Sequence, residues 1–186
     1  MKKLNLPNKL TLLRILLVPV FILLLMGFQN SESTILKILP LIVFAFASFT
    51  DLLDGYIARR DNLITDFGKF MDPLADKILV NSALICFIEL KMLAAWIVIV
   101  IIAREFIISG FRMLAAKKGI TIAANIWGKL KTVSQMALVI IMLLSYANIM
   151  NFTEVLITPL IVIVVVLTIV SAVTYIYANK KVIETM

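Results

Sequence analysis

Apolar residues dominate this chain in six long stretches that are separated by short polar segments. The stretches cover residues 9–28, 35–58, 67–89, 92–115, 131–149 and 153–178. A helix of about 20 mostly apolar residues is long enough to cross the hydrocarbon layer of a bilayer. The pattern therefore predicts an all-α integral membrane protein with six transmembrane helices in a single domain, residues 1–186. The first stretch lacks a small-residue cleavage site, so we expect it to be retained as a helix.

The composition agrees with a membrane location and restricts the chemistry. Hydrophobic residues make up 62% of the 186 residues, and the mean hydropathy is +1.08, whereas soluble domains are roughly 45–50% apolar. A single cysteine, Cys86, excludes an intramolecular disulfide, and the chain has no histidine. The commonest metal ligand and the usual neutral-pH base are therefore absent. Any metal site must use oxygen ligands, and any catalytic base must be a carboxylate, a lysine or a tyrosine.

The distribution of basic residues predicts how the chain is oriented in the membrane. Lysine and arginine gather at the N-terminus, around residues 59–69 and 117–131, and in the C-terminal tail. Because these residues favour the cytoplasmic side, both termini and the two basic segments are expected in the cytoplasm. The net charge is +7, but the basic residues flank apolar stretches rather than form a solvated face. Anionic lipid headgroups or phosphorylated substrates are therefore better partners than nucleic acid.

The acidic residues are concentrated in the segment 51–77, which joins the second and third stretches. This segment holds six of the 11 acidic residues of the chain. On a helix, Asp51, Asp54, Gly55 and Ala58 fall within an arc of about 100°, so two carboxylates and two small residues share one face. Small residues allow another backbone or a ligand to approach closely. Charges at membrane depth are costly and usually functional, which marks this face as a candidate site.

A second acidic stripe follows at the start of the third stretch, where Gly68, Asp72 and Asp76 fall within about 80° on a helix. The short connection makes the two helices antiparallel neighbours, so four carboxylates are expected to converge. Divalent cations would relieve their repulsion, and an all-oxygen ligand set suits magnesium or manganese. Two ions about 3.5–4 Å apart are the natural count for a phosphoryl displacement. Asp61 and Asp66, in the connection itself, are interpreted as solvated charges.

This segment resembles the CDP-alcohol phosphatidyltransferase family, whose motif D-x2-D-G-x2-A-R-x8-G-x3-D-x3-D it matches at every fixed position. Those positions are Asp51, Asp54, Gly55, Ala58, Arg59, Gly68, Asp72 and Asp76. The resemblance implies a six-helix membrane enzyme that transfers a phosphatidyl group from CDP-diacylglycerol to an alcohol and releases CMP. It also implies that the four aspartates hold two divalent metal ions and that Asp76 is the general base. The two glycines, with Ala58 and Arg59, are implied to help bind CDP-diacylglycerol.

Further charged residues bear on the identity of the acceptor alcohol. Arg104 and Arg112 lie two turns apart in the fourth stretch, and Lys129 and Lys131 lie at the start of the fifth. These four cations are expected on the same membrane side as the aspartates, where they form a second anion site. A neutral alcohol does not require such a site, whereas an alcohol that carries a phosphate does. The structural alternatives are an internal ion pair between Arg104 and Glu105, and lysines that only anchor the helix at the membrane surface.

These segments and the opening "LNLPNKLTLLRI" resemble the bacterial phosphatidylglycerophosphate synthases, a branch of the same family. The resemblance runs from about residue 4 to residue 136 and implies sn-glycerol 3-phosphate as the second substrate. It further implies a homodimer in the bacterial inner membrane, with the active site facing the cytoplasm. In the opening segment, Asn8 is interpreted as a helix N-cap with Thr11 at the third helical position. Arg14 either lines the pocket or extends to lipid headgroups.

Other classes of protein fit the same residues less well. Within the family, the alternatives are a cardiolipin synthase and an inositol-phosphate transferase. An aspartate-rich prenyltransferase also uses paired carboxylates and magnesium, but its motif lacks the intervening G-x2-A-R. A cation transporter is expected to hold its acidic residues near the middle of the membrane rather than at the ends of helices. Direct displacement is preferred to a covalent intermediate, because the motif offers no serine, cysteine or histidine nucleophile.

Overall fold

The computed structural model describes residues 5–60, 66–117, 125–150 and 154–180. These ranges contain helices joined by short turns, and they contain no strand. The helices of these ranges are α1 (Leu6–Gly27), α2 (Thr34–Arg60), α3 (Asp66–Glu89), α4 (Ala95–Lys117), α5 (Ile126–Tyr146) and α6 (Glu154–Ala178). The all-α prediction is confirmed for this part of the chain. Five of the helices begin within about three residues of the predicted stretches, and α5 begins earlier.

Several of these helices have the length and composition of membrane spans. Within the described ranges, α1, most of α2, α5 and most of α6 are long and apolar enough to cross a bilayer. In contrast, α4 contains four charged residues, Arg104, Glu105, Arg112 and Lys117, and α3 begins with the acidic stripe. Leu23 of α1 is 73% exposed, as expected for a side chain that faces lipid. The helices therefore indicate a membrane protein, and the count of six spans stays a prediction.

The chain divides into two compact units, and the first comprises Met1–Met92 with Leu143–Asn151. In this unit α1 contacts both α2 and α3, and α2 contacts α3. Phe21 of α1 is fully buried, and its ring centroid lies 5.8 Å from that of Phe44 on α2. At the end of α1, the hydroxyl of Tyr146 donates a 2.7 Å hydrogen bond to the carbonyl oxygen of Leu25. This bond satisfies a carbonyl of the last turn of α1. Because α1 contacts both α2 and α3, it is the central helix of this unit.

The start of α1 differs from the prediction. Asn5 occupies the N-cap position and Pro7 lies in the first turn, where the fixed φ of proline and its missing N–H are best tolerated. The interpretation of Asn8 as the N-cap is therefore wrong, because Asn8 lies inside the helix and is buried. The hydroxyl of Thr11 donates to the carbonyl oxygen of Pro7 at 3.1 Å, so its role is also structural.

The second unit comprises Leu93–Met142 with Phe152–Met186, and in it α4 packs against α6. Asn125 determines where α5 begins, because its side-chain oxygen accepts the Trp127 N–H at 3.2 Å. Its carbonyl oxygen accepts the N–H groups of Gly128 and Lys129. This cap starts α5 at Ile126 rather than at residue 131, and it places both lysines of the predicted anion site in the first two turns. The assignment of the whole chain to a single domain stays a prediction.

Candidate active site

Two of the predicted metal ligands lie one turn apart on α2. The helix continues without a break from its apolar part to Arg60, so Asp51 and Asp54 project from a rigid element. The side chain of Asp54 is 3% exposed and that of Asp51 is 36% exposed. A buried carboxylate must be paired or hydrogen-bonded to remain ionised. The acidic pair therefore requires a cation close by.

Arg14 of α1 supplies that cation. Its side chain has no exposed surface, and Nη1 lies 2.5 Å from Oδ1 of Asp51 while Nη2 lies 2.5 Å from Oδ2 of Asp54. The planar fork of an arginine is suited to bridging two carboxylates, which a lysine cannot do in the same geometry. Each carboxylate contributes a single oxygen to these two ion pairs. The interpretation that Arg14 extends to lipid headgroups is wrong, because the residue is buried in the acidic cluster.

The remaining motif residues lie on α2 and α3, and these two helices are in contact. Gly55 is half-buried on α2, and Gly68 is buried on α3. Asp72 and Asp76 belong to α3 and Ala58 and Arg59 belong to α2, but these four side chains lie outside the described part of the structure. The structure thus brings both halves of the motif onto neighbouring helices.

Asp51 and Asp54 are the two described carboxylates that could bind a divalent cation. Among the side chains that the structure describes, no group of three acidic, histidine or cysteine residues surrounds a metal position. Asp51 and Asp54 nevertheless share one helix face and already bind one cation together, the guanidinium of Arg14. Carboxylate oxygens are the ligands that hard divalent cations prefer. The donor set therefore fits such an ion.

The cationic residues of the predicted anion site lie in the second unit, and two of them have fixed partners there. Lys131 has no exposed surface, and its ammonium forms an ion pair with the carboxylate of Glu105. The structure thus shows Glu105 in an ion pair with Lys131. The alternative drawn from the sequence was an ion pair between Glu105 and Arg104. Lys129 is exposed in the first turn of α5. Lys131 therefore differs from Lys129 in that a carboxylate already offsets its charge.

Arg104 lies against the first turn of α5, beside Gly128. Its Nη2 is 3.5 Å from the position that a Cβ atom would take at Gly128. Its buried Nε has no hydrogen-bond partner among the described residues. A guanidinium near a helix N-terminus forms a region where an anion would be stabilised.

Arg112 is held by a neutral partner that sequence reasoning missed. Its Nε donates a 3.2 Å hydrogen bond to the hydroxyl of Tyr175 on α6, and its guanidinium lies 5.7 Å from the centre of that ring. No carboxylate among the described side chains forms an ion pair with Arg112. An exposed arginine with a neutral partner keeps its full charge for an anionic ligand. No sequence pattern marks Tyr175, because it lies 63 residues from Arg112 in an apolar helix.

The acidic motif on the neighbouring helices α2 and α3, together with the cationic residues of the second unit, indicates the class of protein. The chain matches the CDP-alcohol phosphatidyltransferase family over residues 4–176, and it belongs to that family. Enzymes of this family generally depend on divalent metal ions. The prediction of the family from the motif is confirmed.

The most informative relatives carry one and the same name, CDP-diacylglycerol–glycerol-3-phosphate 3-phosphatidyltransferase. The protein of Bacillus subtilis (strain 168) is 45% identical over 148 residues, which cover 75% of this chain and 77% of the relative. The protein of Rickettsia felis is 38% identical over 178 residues, or 95% of this chain and 96% of the relative. That of Haemophilus influenzae is 37% identical over 183 residues, or 96% and 95% of the two chains. These relatives are named as phosphotransferases of phospholipid synthesis.

Replacing Arg14 should destabilise the protein, because it leaves the buried carboxylate of Asp54 without its cation. Removing one partner of a buried ion pair costs about 3–5 kcal/mol, and we expect about 3 kcal/mol for Arg14→Met because Asp51 is partly exposed. Thermal unfolding in detergent with a chelator measures this effect, since bound metal then cannot replace the lost charge. Lys9→Met, the same change at an exposed lysine of α1, is the control. Equal unfolding temperatures for the two variants would show that the ion pairs contribute nothing to stability.

Proposed function

We propose that this chain transfers the phosphatidyl group of CDP-diacylglycerol to sn-glycerol 3-phosphate, giving phosphatidylglycerophosphate and CMP. The observation that carries the proposal is the shared name of relatives that are 37–45% identical over most of the chain. The two charged regions support it, because they match the needs of the two substrates. The acidic region suits a metal-assisted reaction at a pyrophosphate, and the cationic region suits an acceptor that carries a phosphate.

The aspartates of the motif form the catalytic centre in this proposal. Asp51, Asp54, Asp72 and Asp76 are the ligands of two Mg²⁺ or Mn²⁺ ions, which when bound neutralise the negative charge of the pyrophosphate. Asp76 also accepts the proton of the attacking hydroxyl. Arg14 contacts one oxygen of each of the first two carboxylates and thereby orients them.

The small residues of the motif are proposed to accommodate the nucleotide of CDP-diacylglycerol. Gly55 and Gly68 have no side chain, so the cytosine and the phosphates can approach the helix backbones. Ala58, whose side chain is only a methyl group, is proposed for the same role. Arg59 offers charge-assisted hydrogen bonds to the pyrophosphate.

The cationic residues are proposed to hold the phosphate of sn-glycerol 3-phosphate. Arg104, Arg112, Lys129 and Lys131 are the candidates, and their differences in pairing rank them. Arg112 has a neutral partner and Lys129 is exposed, whereas Lys131 is neutralised by Glu105. We therefore assign the direct phosphate contact chiefly to the arginines and Lys129, and to Lys131 a supporting role on the same helix.

The reaction is proposed to be a direct displacement at the β-phosphorus of CDP-diacylglycerol. The 1-hydroxyl oxygen of sn-glycerol 3-phosphate forms a bond to this phosphorus, and its proton passes to Asp76. The bond from the phosphorus to the bridging oxygen of the pyrophosphate breaks, and CMP leaves with that oxygen. The motif offers no serine, cysteine or histidine for a covalent intermediate.

The membrane arrangement is part of the same proposal. All six helices cross the membrane, with both termini and the active site on the cytoplasmic side of a bacterial inner membrane. The distribution of basic residues along the sequence supports this orientation. Arg104 and Glu105 of α4 are half-buried, as expected of charges at membrane depth that serve a site. A homodimer is proposed from the family resemblance alone.

The experiment that tests the proposed function measures CMP release by the purified protein with CDP-diacylglycerol and magnesium. We expect rapid release with sn-glycerol 3-phosphate and slow release with glycerol, which has no phosphate to bind. Phosphatidylglycerol and inositol phosphate complete the panel of acceptors. Preferred use of phosphatidylglycerol would identify a cardiolipin synthase, and preferred use of inositol phosphate would identify an inositol-phosphate transferase. Either result would contradict the proposal.

Replacing the metal ligands should remove activity, beyond the loss of stability that is expected when a buried partner of Arg14 is replaced. Asp51→Asn, Asp54→Asn and Asp72→Asn should each nearly abolish CMP release, because each loses a charged oxygen ligand. Glu89→Gln, at the exposed end of α3, changes an acid to its amide away from the motif and should be fully active. An excess of chelator should stop the wild-type enzyme, and magnesium or manganese should restore it. Near-normal activity of any one variant would exclude that aspartate as a ligand.

Replacing Arg112 should impair the use of sn-glycerol 3-phosphate in particular. A charge-assisted contact to phosphate contributes about 1.5–3 kcal/mol, so Arg112→Ala should lower kcat/KM for this substrate by roughly 10- to 150-fold. The dependence on CDP-diacylglycerol and the slow use of glycerol should change little. Met113→Ala, at the exposed neighbour on α4, is the control. If Arg112→Ala impaired both acceptors equally, Arg112 would act on the nucleotide or on the fold instead.

A further inference from the structure

The sixth helix carries no motif, yet two adjacent residues near its end contact both of the other helices of the second unit. Thr174 accepts a 3.0 Å hydrogen bond at its hydroxyl oxygen from the side-chain amide of Asn125, which caps α5. Tyr175 accepts the 3.2 Å hydrogen bond from Nε of Arg112 on α4. The last turns of α6 thus contact α4 and the cap of α5, the two elements that carry the cationic residues.

Packing holds the ring of Tyr175 in one place. The residue is 3% exposed, and its ring meets that of Phe111 edge-on, with the centroids 5.8 Å apart and the planes at 85°. A ring fixed in this way offers Arg112 two contacts at once, the hydroxyl oxygen for Nε and the π face for the guanidinium. Arg112 itself is exposed, so these contacts are what restrict its otherwise mobile side chain.

The choice of a neutral partner matters for binding an anion. In the same unit, Lys131 is paired with Glu105, and that carboxylate offsets its charge. A tyrosine orients an arginine but leaves its positive charge intact, and the hydrogen bond from Nε leaves both terminal nitrogens to face a ligand. An arginine that is already oriented loses less conformational freedom when a phosphate binds.

We infer that Tyr175 is a positioning residue that holds Arg112 in the orientation required to bind the phosphate of the acceptor. This inference rests on the proposed function, because it assumes that Arg112 meets a phosphate. It assigns the sixth helix a part in substrate recognition that its sequence does not indicate. Tyr175 acts through Arg112 and does not itself take part in the reaction.

The variant that isolates the hydrogen bond is Tyr175→Phe, which keeps the ring and its packing. KM for sn-glycerol 3-phosphate should rise about 3- to 10-fold, the range that corresponds to the loss of one hydrogen bond. The values of kcat and of KM for CDP-diacylglycerol should stay at the wild-type level. Inorganic phosphate, used as a competitive inhibitor, should bind more weakly by the same factor. Tyr177→Phe makes the same change at a residue of α6 that is 81% exposed, and it should leave every constant unchanged.

A double-mutant comparison separates positioning from a general effect on the fold. In protein that already carries Arg112→Ala, adding Tyr175→Phe should change nothing further, because no guanidinium is left to orient. Additive losses, or an equal rise of both KM values, would assign Tyr175 a packing role and overturn the inference. Wild-type constants for Tyr175→Phe would also overturn it, with the proposed function intact. If the wild-type protein did not use sn-glycerol 3-phosphate at all, the proposed function would fall, and the inference with it.

Discussion

The first unit depends on a guanidinium that is buried between two carboxylates. Asp51 and Asp54 lie on a helix whose preceding turns are apolar, and such charges are tolerated away from water only when they are paired. Their cation comes from α1, so α1 must pack against α2 with Arg14 at the level of the acids. The other buried positions of α1 continue this stripe through Val18, Phe21 and Leu25. A single ionic requirement thus sets the register of the two helices, and apolar contacts extend it.

The two units differ in how their charged residues are paired. Arg14 bridges two carboxylates through one oxygen of each, and this contact orients the acids. In the second unit, Lys131 is offset by a carboxylate, whereas Arg112 is held by the neutral hydroxyl of Tyr175. An ion pair holds the acids in one unit, and a neutral contact leaves the positive charge of Arg112 intact in the other.

The sequence predicted those features that depend on local patterns. The apolar stretches match the helices closely, and the spacing of the aspartates was sufficient to indicate the family. The start of α5 was missed, because a single polar cap at Asn125 extends the helix by more than a turn beyond the apolar stretch. The partners of Arg14 and Arg112 were missed for another reason. Arg14 and Asp54 are 40 residues apart in the sequence, and Arg112 and Tyr175 are 63 residues apart. Periodicity along one helix does not reveal which residue of another helix a charged side chain will contact.

The motif and the acceptor site therefore differ in how far sequence can describe them. The motif belongs to a family defined by its use of a CDP-linked donor, so its fixed residues concern the part of the reaction that all members share. The acceptor varies within the family, and its recognition must depend on residues outside the motif. In this chain we propose cations on α4 and α5 for that role, where Asn125 caps α5 and Tyr175 contacts Arg112. Specificity of this kind comes from the geometry of ordinary residues rather than from rare ones, and only the folded structure makes it visible.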